Sequence, residues 1–126
     1  MGSRIKLVRG DTAPQIIVSM TDESNGEPID VSASGTIVYM DFRQSGTTTV
    51  LTTIIGTKMI GQLAPDGTID TTVVPAGKGG RVAFAWPPGS LDVDPGYYEG
   101  QITINFADGT TQTVYQLLKF SVRADF

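Results

Sequence analysis

Alternation of apolar and polar residues runs along most of this chain and limits the folds open to it. In the segment GTIVYMDFRQ, the apolar residues Val38, Met40 and Phe42 occupy every second position. A period of two places such residues on one face of a β-strand. No stretch repeats apolar residues at intervals of three and four over several turns, as an amphipathic helix would. The sequence therefore predicts an all-β protein.

Turn signals divide the chain into short strands. Asn25-Gly26 and Asp108-Gly109 are dipeptides that favour tight reversals, and the second joins the two longest predicted strands, YYEGQITINF and TQTVYQLLKFSV. The glycine-rich segment PAGKGG is expected to be an exposed hairpin tip, which follows a predicted strand TIDTTVV. Seven or more strands without a helix favour a sandwich of two antiparallel sheets. We expect residues 1–126 to form a single domain.

The segment LVRGDTAPQIIV contains the tripeptide Arg9-Gly10-Asp11, which many adhesion proteins present to receptors. It lies between the first and second predicted strands, so a turn is the better interpretation. Gly10 permits a bend, and we expect the side chain of Asp11 or Thr12 to bond to nearby backbone amides. We therefore assign Gly10, Asp11 and Thr12 a fold-defining role rather than receptor adhesion.

The segment DPGYYEG carries the most specific local pattern. Asp94, Gly96 and Tyr98 have the DxGxY spacing that opens the sixth strand of immunoglobulin-like domains, where the tyrosine hydroxyl bonds back to the backbone. Gly100 stands where antibody domains have a disulfide cysteine. The pattern predicts an immunoglobulin-like β-sandwich outside the disulfide-bonded subclass. The neighbouring residue Tyr97 is predicted to lie on the opposite face, where it is a candidate surface contact.

The composition argues against several classes of function. The chain has no histidine and no cysteine, its nine Lys and Arg are scattered, and its net charge is -4. We therefore expect no catalytic residue, no cofactor site, no binding of nucleic acid and no association with membranes. Asp92 and Asp94 could contribute to a calcium site, but capping of a turn is the better interpretation because further acceptors are missing. No run is apolar enough for a membrane span or a signal peptide, so we expect synthesis in a cytoplasm.

Several motifs in a fixed order resemble a known family. A GDT opening at residues 10–12 is followed by a G-x-P-x-D turn at 26–30, a V-x-F-x-W strand at 82–86, a G-x-Y motif at 96–98 and a DGT hairpin at 108–110. In this order they are similar to the N-terminal immunoglobulin-like domain of phage baseplate upper proteins and related tail and receptor-binding proteins. The resemblance covers about residues 10–122.

The resemblance implies a structural protein of a tailed-phage particle, made in the host bacterial cytoplasm and located in the virion. We expect an adaptor, decoration or small tail or baseplate component that contacts other virion proteins, in several copies. The Thr-rich segment 45–80 is expected to supply contacts between subunits, because exposed strands at sheet edges can pair with a neighbour. Two alternatives are a carbohydrate- or host-receptor-binding module and a bacterial extracellular immunoglobulin-like domain; the missing signal segment counts against the latter.

Overall fold

The computed structural model describes residues 4–22, 24–114 and 117–125. These residues contain eleven β-strands and no helix, which confirms the prediction of an all-β protein. The strands are β1 (Ile5–Val8), β2 (Ile16–Ser19), β3 (Ile37–Gln44), β4 (Thr52–Ile55), β5 (Thr57–Lys58), β6 (Gln62–Leu63), β7 (Ile69–Asp70), β8 (Arg81–Phe84), β9 (Gly96–Asn105), β10 (Thr111–Thr113) and β11 (Leu118–Arg123).

The described strands form three sheets. The largest has the order β1-β11-β9-β3-β4, with β10 also paired to β9; the second has the order β2-β8-β5, and β6 pairs with β7. The prediction of two antiparallel sheets is wrong in two respects, because the described strands form three sheets and β1 runs parallel to β11. Parallel neighbours need a long connection, and here nearly the whole chain lies between the two strands. Alternation predicts which side chains are buried, but not which strand lies beside which.

The six-stranded and three-stranded sheets share one hydrophobic core. The predicted inward residues of β3, Val38, Met40 and Phe42, are buried, which confirms the alternation there. Four aromatic rings form the centre of the core, with centroids 5.1–5.6 Å apart: Phe42, Trp86, Tyr98 and Phe120. Since these rings come from elements far apart in the chain, the core is assembled by tertiary contacts.

A single stretch of chain passes from one sheet to the other at Gly56. On its N-terminal side β4 pairs with β3 in the six-stranded sheet, and on its C-terminal side β5 pairs with β8 in the three-stranded sheet. A Cβ on Gly56 would collide with Cγ1 of Val82 and lie 2.9 Å from Cε1 of Phe84. Strands that switch sheets make the corners of such folds. At this corner only glycine allows the backbone to approach the core so closely.

The segment 75–80, PAGKGG, is not the exposed hairpin tip that the sequence predicts. Three of its glycines are buried, namely Gly77, Gly79 and Gly80. The carbonyl of Gly80 accepts a hydrogen bond from the Met20 amide at 2.9 Å. A Cβ on Gly79 would collide with the carbonyl oxygen of Gly61. Glycine serves here to let backbone segments approach one another, a use that the sequence alone does not distinguish from flexibility.

Two predicted strands are shorter than expected. Within TIDTTVV only Ile69–Asp70 is a strand, and the strand after the Asp108-Gly109 turn is divided into β10 and β11. Thr113 on β10 pairs with Thr103 of β9, and Leu118 on β11 pairs with Gly100 of β9. The predicted members Tyr115 and Gln116 lie outside the described residues.

Candidate interaction surface

The predicted turn at Gly10 is present, and its backbone holds it against a neighbouring loop. Gly10 has φ +84°, and its amide donates to the carbonyl of Leu91 at 3.0 Å. The Arg9 guanidinium lies 3.3 Å from a carboxylate oxygen of Asp92. The side chains of Asp11 and Thr12 are exposed and make no hydrogen bond with the described part of the chain, contrary to expectation. The turn is stabilised by backbone hydrogen bonds and by the Arg9–Asp92 ion pair, rather than by the side chains of Asp11 and Thr12.

The DxGxY residues form a corner at the start of β9. The Tyr98 hydroxyl donates a hydrogen bond of 2.6 Å to the carbonyl oxygen of Asp94. Tyr98 is buried and its ring stacks on Phe42. Burial raises the pKa of the Tyr98 hydroxyl, and the negative charge of Asp94 raises it further. Because the Tyr98 hydroxyl is hydrogen-bonded to the backbone and its side chain is buried, we interpret Asp94, Gly96 and Tyr98 as structural residues.

Asp108 closes the hairpin through its side chain. One carboxylate oxygen accepts hydrogen bonds from the Thr110 amide at 2.9 Å and the Thr110 hydroxyl at 2.6 Å, and Gly109 has φ +92°. The Thr110 hydroxyl bond, followed by the amide bond, lowers the pKa of Asp108. This is the turn chemistry expected of an Asp-Gly reversal.

The same arrangement recurs at four other aspartates. Each accepts from the amide and the hydroxyl of the residue two positions on, in the pairs Asp22–Ser24, Asp30–Ser32, Asp66–Thr68 and Asp70–Thr72. The described residues contain no group of three or more His, Cys, Asp or Glu arranged to hold a metal ion. These four carboxylates, like that of Asp108, stabilise turns.

Tyr97 lies on the outer face of the six-stranded sheet, on the side opposite Tyr98. It is 58% exposed, as expected of a candidate surface contact. The guanidinium carbon of Arg4 lies 4.2 Å from the centroid of its ring. One face of the ring is therefore covered by a cation of the same chain, and stacking of a further ligand on that face would require Arg4 to move.

Exposed large apolar side chains concentrate in one segment. Ten such residues are described, and seven of them lie between Val50 and Val74: Val50, Leu51, Ile55, Ile60, Leu63, Ile69 and Val74. Scattered single apolar residues are normal on a protein surface, whereas a contiguous patch of them indicates a site of association. We name residues 50–74 the edge segment.

The first two strands of the edge segment, β4 and β5, lie at the borders of the two larger sheets, whereas β6 and β7 pair with each other. In the described part of the chain β4 is the last strand of the six-stranded sheet and β5 the last strand of the three-stranded sheet. Only Gly56 separates β4 from β5, so the two borders meet on one side of the molecule. Sequence reasoning had indicated this region through its Thr-rich strands. It missed the exposed isoleucines and leucines; in β4 the signal was a pair of adjacent isoleucines, Ile54 and Ile55, on opposite faces of a strand without a charged residue.

The chain matches no protein-family model, and no curated protein or solved structure is significantly similar to it. Within residues 4–22, 24–114 and 117–125 there is no helix with the length and apolar character needed to cross a membrane.

Proposed function

We propose that the protein is a non-enzymatic structural component of a tailed-phage virion, present in several copies and acting through contacts with other virion proteins. It would serve as a tail or baseplate component, an adaptor or a surface decoration. The observation that carries the proposal is the concentration of exposed apolar side chains in the edge segment. Burying such side chains against a neighbour is favourable, at roughly 25 cal/mol per Å².

The immunoglobulin-like sandwich belongs to the same proposal. It is supported by the hydrogen bond from Tyr98 to Asp94 and by the core that the two larger sheets share. The motif order from Gly10 to Val122 supports the phage assignment, together with the location in the virion that it implies. Domains of this type commonly carry their functional sites on surface segments, so a contact site in the edge segment is compatible with the fold.

Purified particles provide the test. We expect mass spectrometry to detect the chain in particles, and an antibody against it to label them. Leu63→Asp, which places a charge on the edge segment, should weaken incorporation about tenfold or more, because a buried leucine contributes roughly 1.5–3 kcal/mol. Ile17→Asp is the matched control, since Ile17 has a similar exposure (49% against 47%) but lies on β2, outside the edge segment. Particles that lack the chain would refute the proposal.

A carbohydrate- or host-receptor-binding module is the second candidate, and the exposed ring of Tyr97 is the observation in its favour. Aromatic rings at a surface can stack on sugars, although Arg4 covers one face here. Binding of glycans by the isolated protein, lost in Tyr97→Ala, would favour this candidate. Incorporation into particles without any glycan signal would favour the structural role.

A further inference from the structure

The outer edge of β4 presents unpaired backbone groups. Ser45 directly follows β3, and its amide donates to the carbonyl oxygen of Tyr97 on β9. Backbone groups alternate in direction along a strand, so the odd-numbered residues of β3 bond to β9 and the even-numbered residues bond to β4. In agreement, the amide of Gly56 donates to the carbonyl of Val38 at 2.8 Å. The backbone groups of Thr53 and Ile55 therefore point away from the sheet, where no other described strand pairs with β4.

This edge lacks two of the features that normally prevent strands from pairing, namely charged side chains and prolines. Charged side chains, prolines and bulges protect exposed edges in most proteins. Residues 44–57 contain no Asp, Glu, Lys, Arg or Pro. The opposite border of the same sheet differs, because β1 carries the exposed Lys6 and is flanked by Arg4 and Arg9. Among the described border strands of this sheet, β4 and the shorter β10 (Thr111–Thr113) carry no charged side chain, and of these two only β4 exposes a large apolar residue, Ile55.

We propose that two copies of this chain pair through antiparallel β4 strands about a twofold axis at Ile54. The inference deepens the proposed function, on which it rests, by naming a second copy as the partner at this edge. In this register Thr53 lies opposite Ile55 of the partner subunit. Every outward amide and carbonyl of Thr53 and Ile55 then has a partner, and the two six-stranded sheets become continuous.

The exposed side chains favour a second copy. Ile55 is 62% exposed, the highest value among the large apolar residues described, and the axis brings it diagonally across from the same residue of the partner, within reach of contact. The chain carries a net charge of -4, so two copies repel overall. Because β4 carries no charged side chain, repulsion between the two copies is weakest at this edge. A stable dimer buries roughly 800 Å² per partner, so the pairing requires contacts beyond the four residues of β4.

Sedimentation velocity of the isolated full chain tests the pairing. We expect a concentration-dependent dimer, and Ile55→Lys should weaken its association at least about tenfold, because two ammonium groups would meet on the edge. Ile17→Lys is the matched control: it introduces the same charge at an exposed isoleucine of a different edge strand and should leave the dimer unchanged. A monomeric wild-type chain, or equal weakening by both substitutions, would overturn the inference.

Crosslinking gives an independent measurement, because the chain has no cysteine. A single cysteine in Ile55→Cys should yield a covalent dimer with a short bismaleimide, whereas Ile17→Cys should not. Equal yields would overturn the pairing. Neither experiment involves particles: dimers combined with particles that lack the chain would refute the proposed function alone. Monomers combined with particles that contain the chain would refute this inference alone, and the edge would then contact a different virion protein.

Discussion

Tyr98 stabilises the corner at the start of β9 with both its hydroxyl and its ring. Its hydroxyl donates to Asp94 while its ring stacks on Phe42, so one side chain holds both the loop before β9 and the core beneath it. The DxGxY spacing indicated this residue from the sequence. The adjacent Tyr97 shows how much a shift of one position matters, since it points to the opposite face and is exposed.

Tyr98→Phe should lower the free energy of unfolding by about 1 kcal/mol, because it removes one hydrogen bond and keeps the ring in the core. Chemical denaturation followed by the fluorescence of Trp86, the only tryptophan, measures the change. That indole is buried and donates to the carbonyl of Pro14, so unfolding changes its surroundings. Tyr97→Phe is the control and should have little effect. Equal losses in both variants would contradict the structural role of the Tyr98 hydroxyl.

The crossing from β4 to β5 decides how the two larger sheets are joined. The sequence identified a Thr- and Val-rich region with turns, but it did not indicate that one strand would be shared between sheets. Period-two alternation continues through such a crossing and therefore cannot reveal it. What does mark the crossing is Gly56, where any side chain would enter the core.

Gly56→Ala should destabilise the protein by about 1–3 kcal/mol, the usual cost of overpacking a core. The added methyl group collides with Val82 and with the ring of Phe84, both fully buried and unable to move away freely. Thermal unfolding measures the loss. Thr57→Ala, at the neighbouring exposed position, should leave the stability nearly unchanged. A stable Gly56→Ala variant would show that the approach of this strand to the core is less close than described.

At the scale of the whole molecule, the aspartate turns make the free energy of unfolding depend on pH. Hydrogen bonds from Ser or Thr lower the pKa of five aspartates below their ordinary value of about 3.9: Asp22, Asp30, Asp66, Asp70 and Asp108. A carboxyl with a lower pKa in the folded state favours folding when it is ionised. Its contribution is complete above the pKa of the unfolded chain and is lost as the pH falls through the folded-state pKa.

We therefore expect the free energy of unfolding to fall as the pH is lowered from 6 to 3. In the triple variant Asp66→Asn, Asp70→Asn and Asp108→Asn this fall should be smaller, because an amide oxygen still accepts the turn hydrogen bonds but does not titrate. Urea denaturation at both pH values measures the difference. Asp125→Asn removes a charge near the C-terminus and is the control. An unchanged fall in the triple variant would assign the acid sensitivity to other groups.

The sequence by itself determined the all-β class, the inward residues of β3, and the turns at Gly10 and Asp108-Gly109. These follow from interactions between residues close in the chain, which alternation and turn chemistry report directly. It also singled out residues 45–80, which include the edge segment, through strands rich in Thr. It could not distinguish a flexible glycine segment from the buried one at 75–80.

Only the tertiary structure decided that β1 lies parallel to β11, that the chain changes sheets at Gly56, and that the borders of both larger sheets meet at the edge segment. Each of these depends on contacts between residues far apart in the chain, and such contacts leave no period in the sequence. The exposure of Ile55 and its neighbours was decided in the same way. An apolar residue in a strand is buried or exposed according to what packs against it.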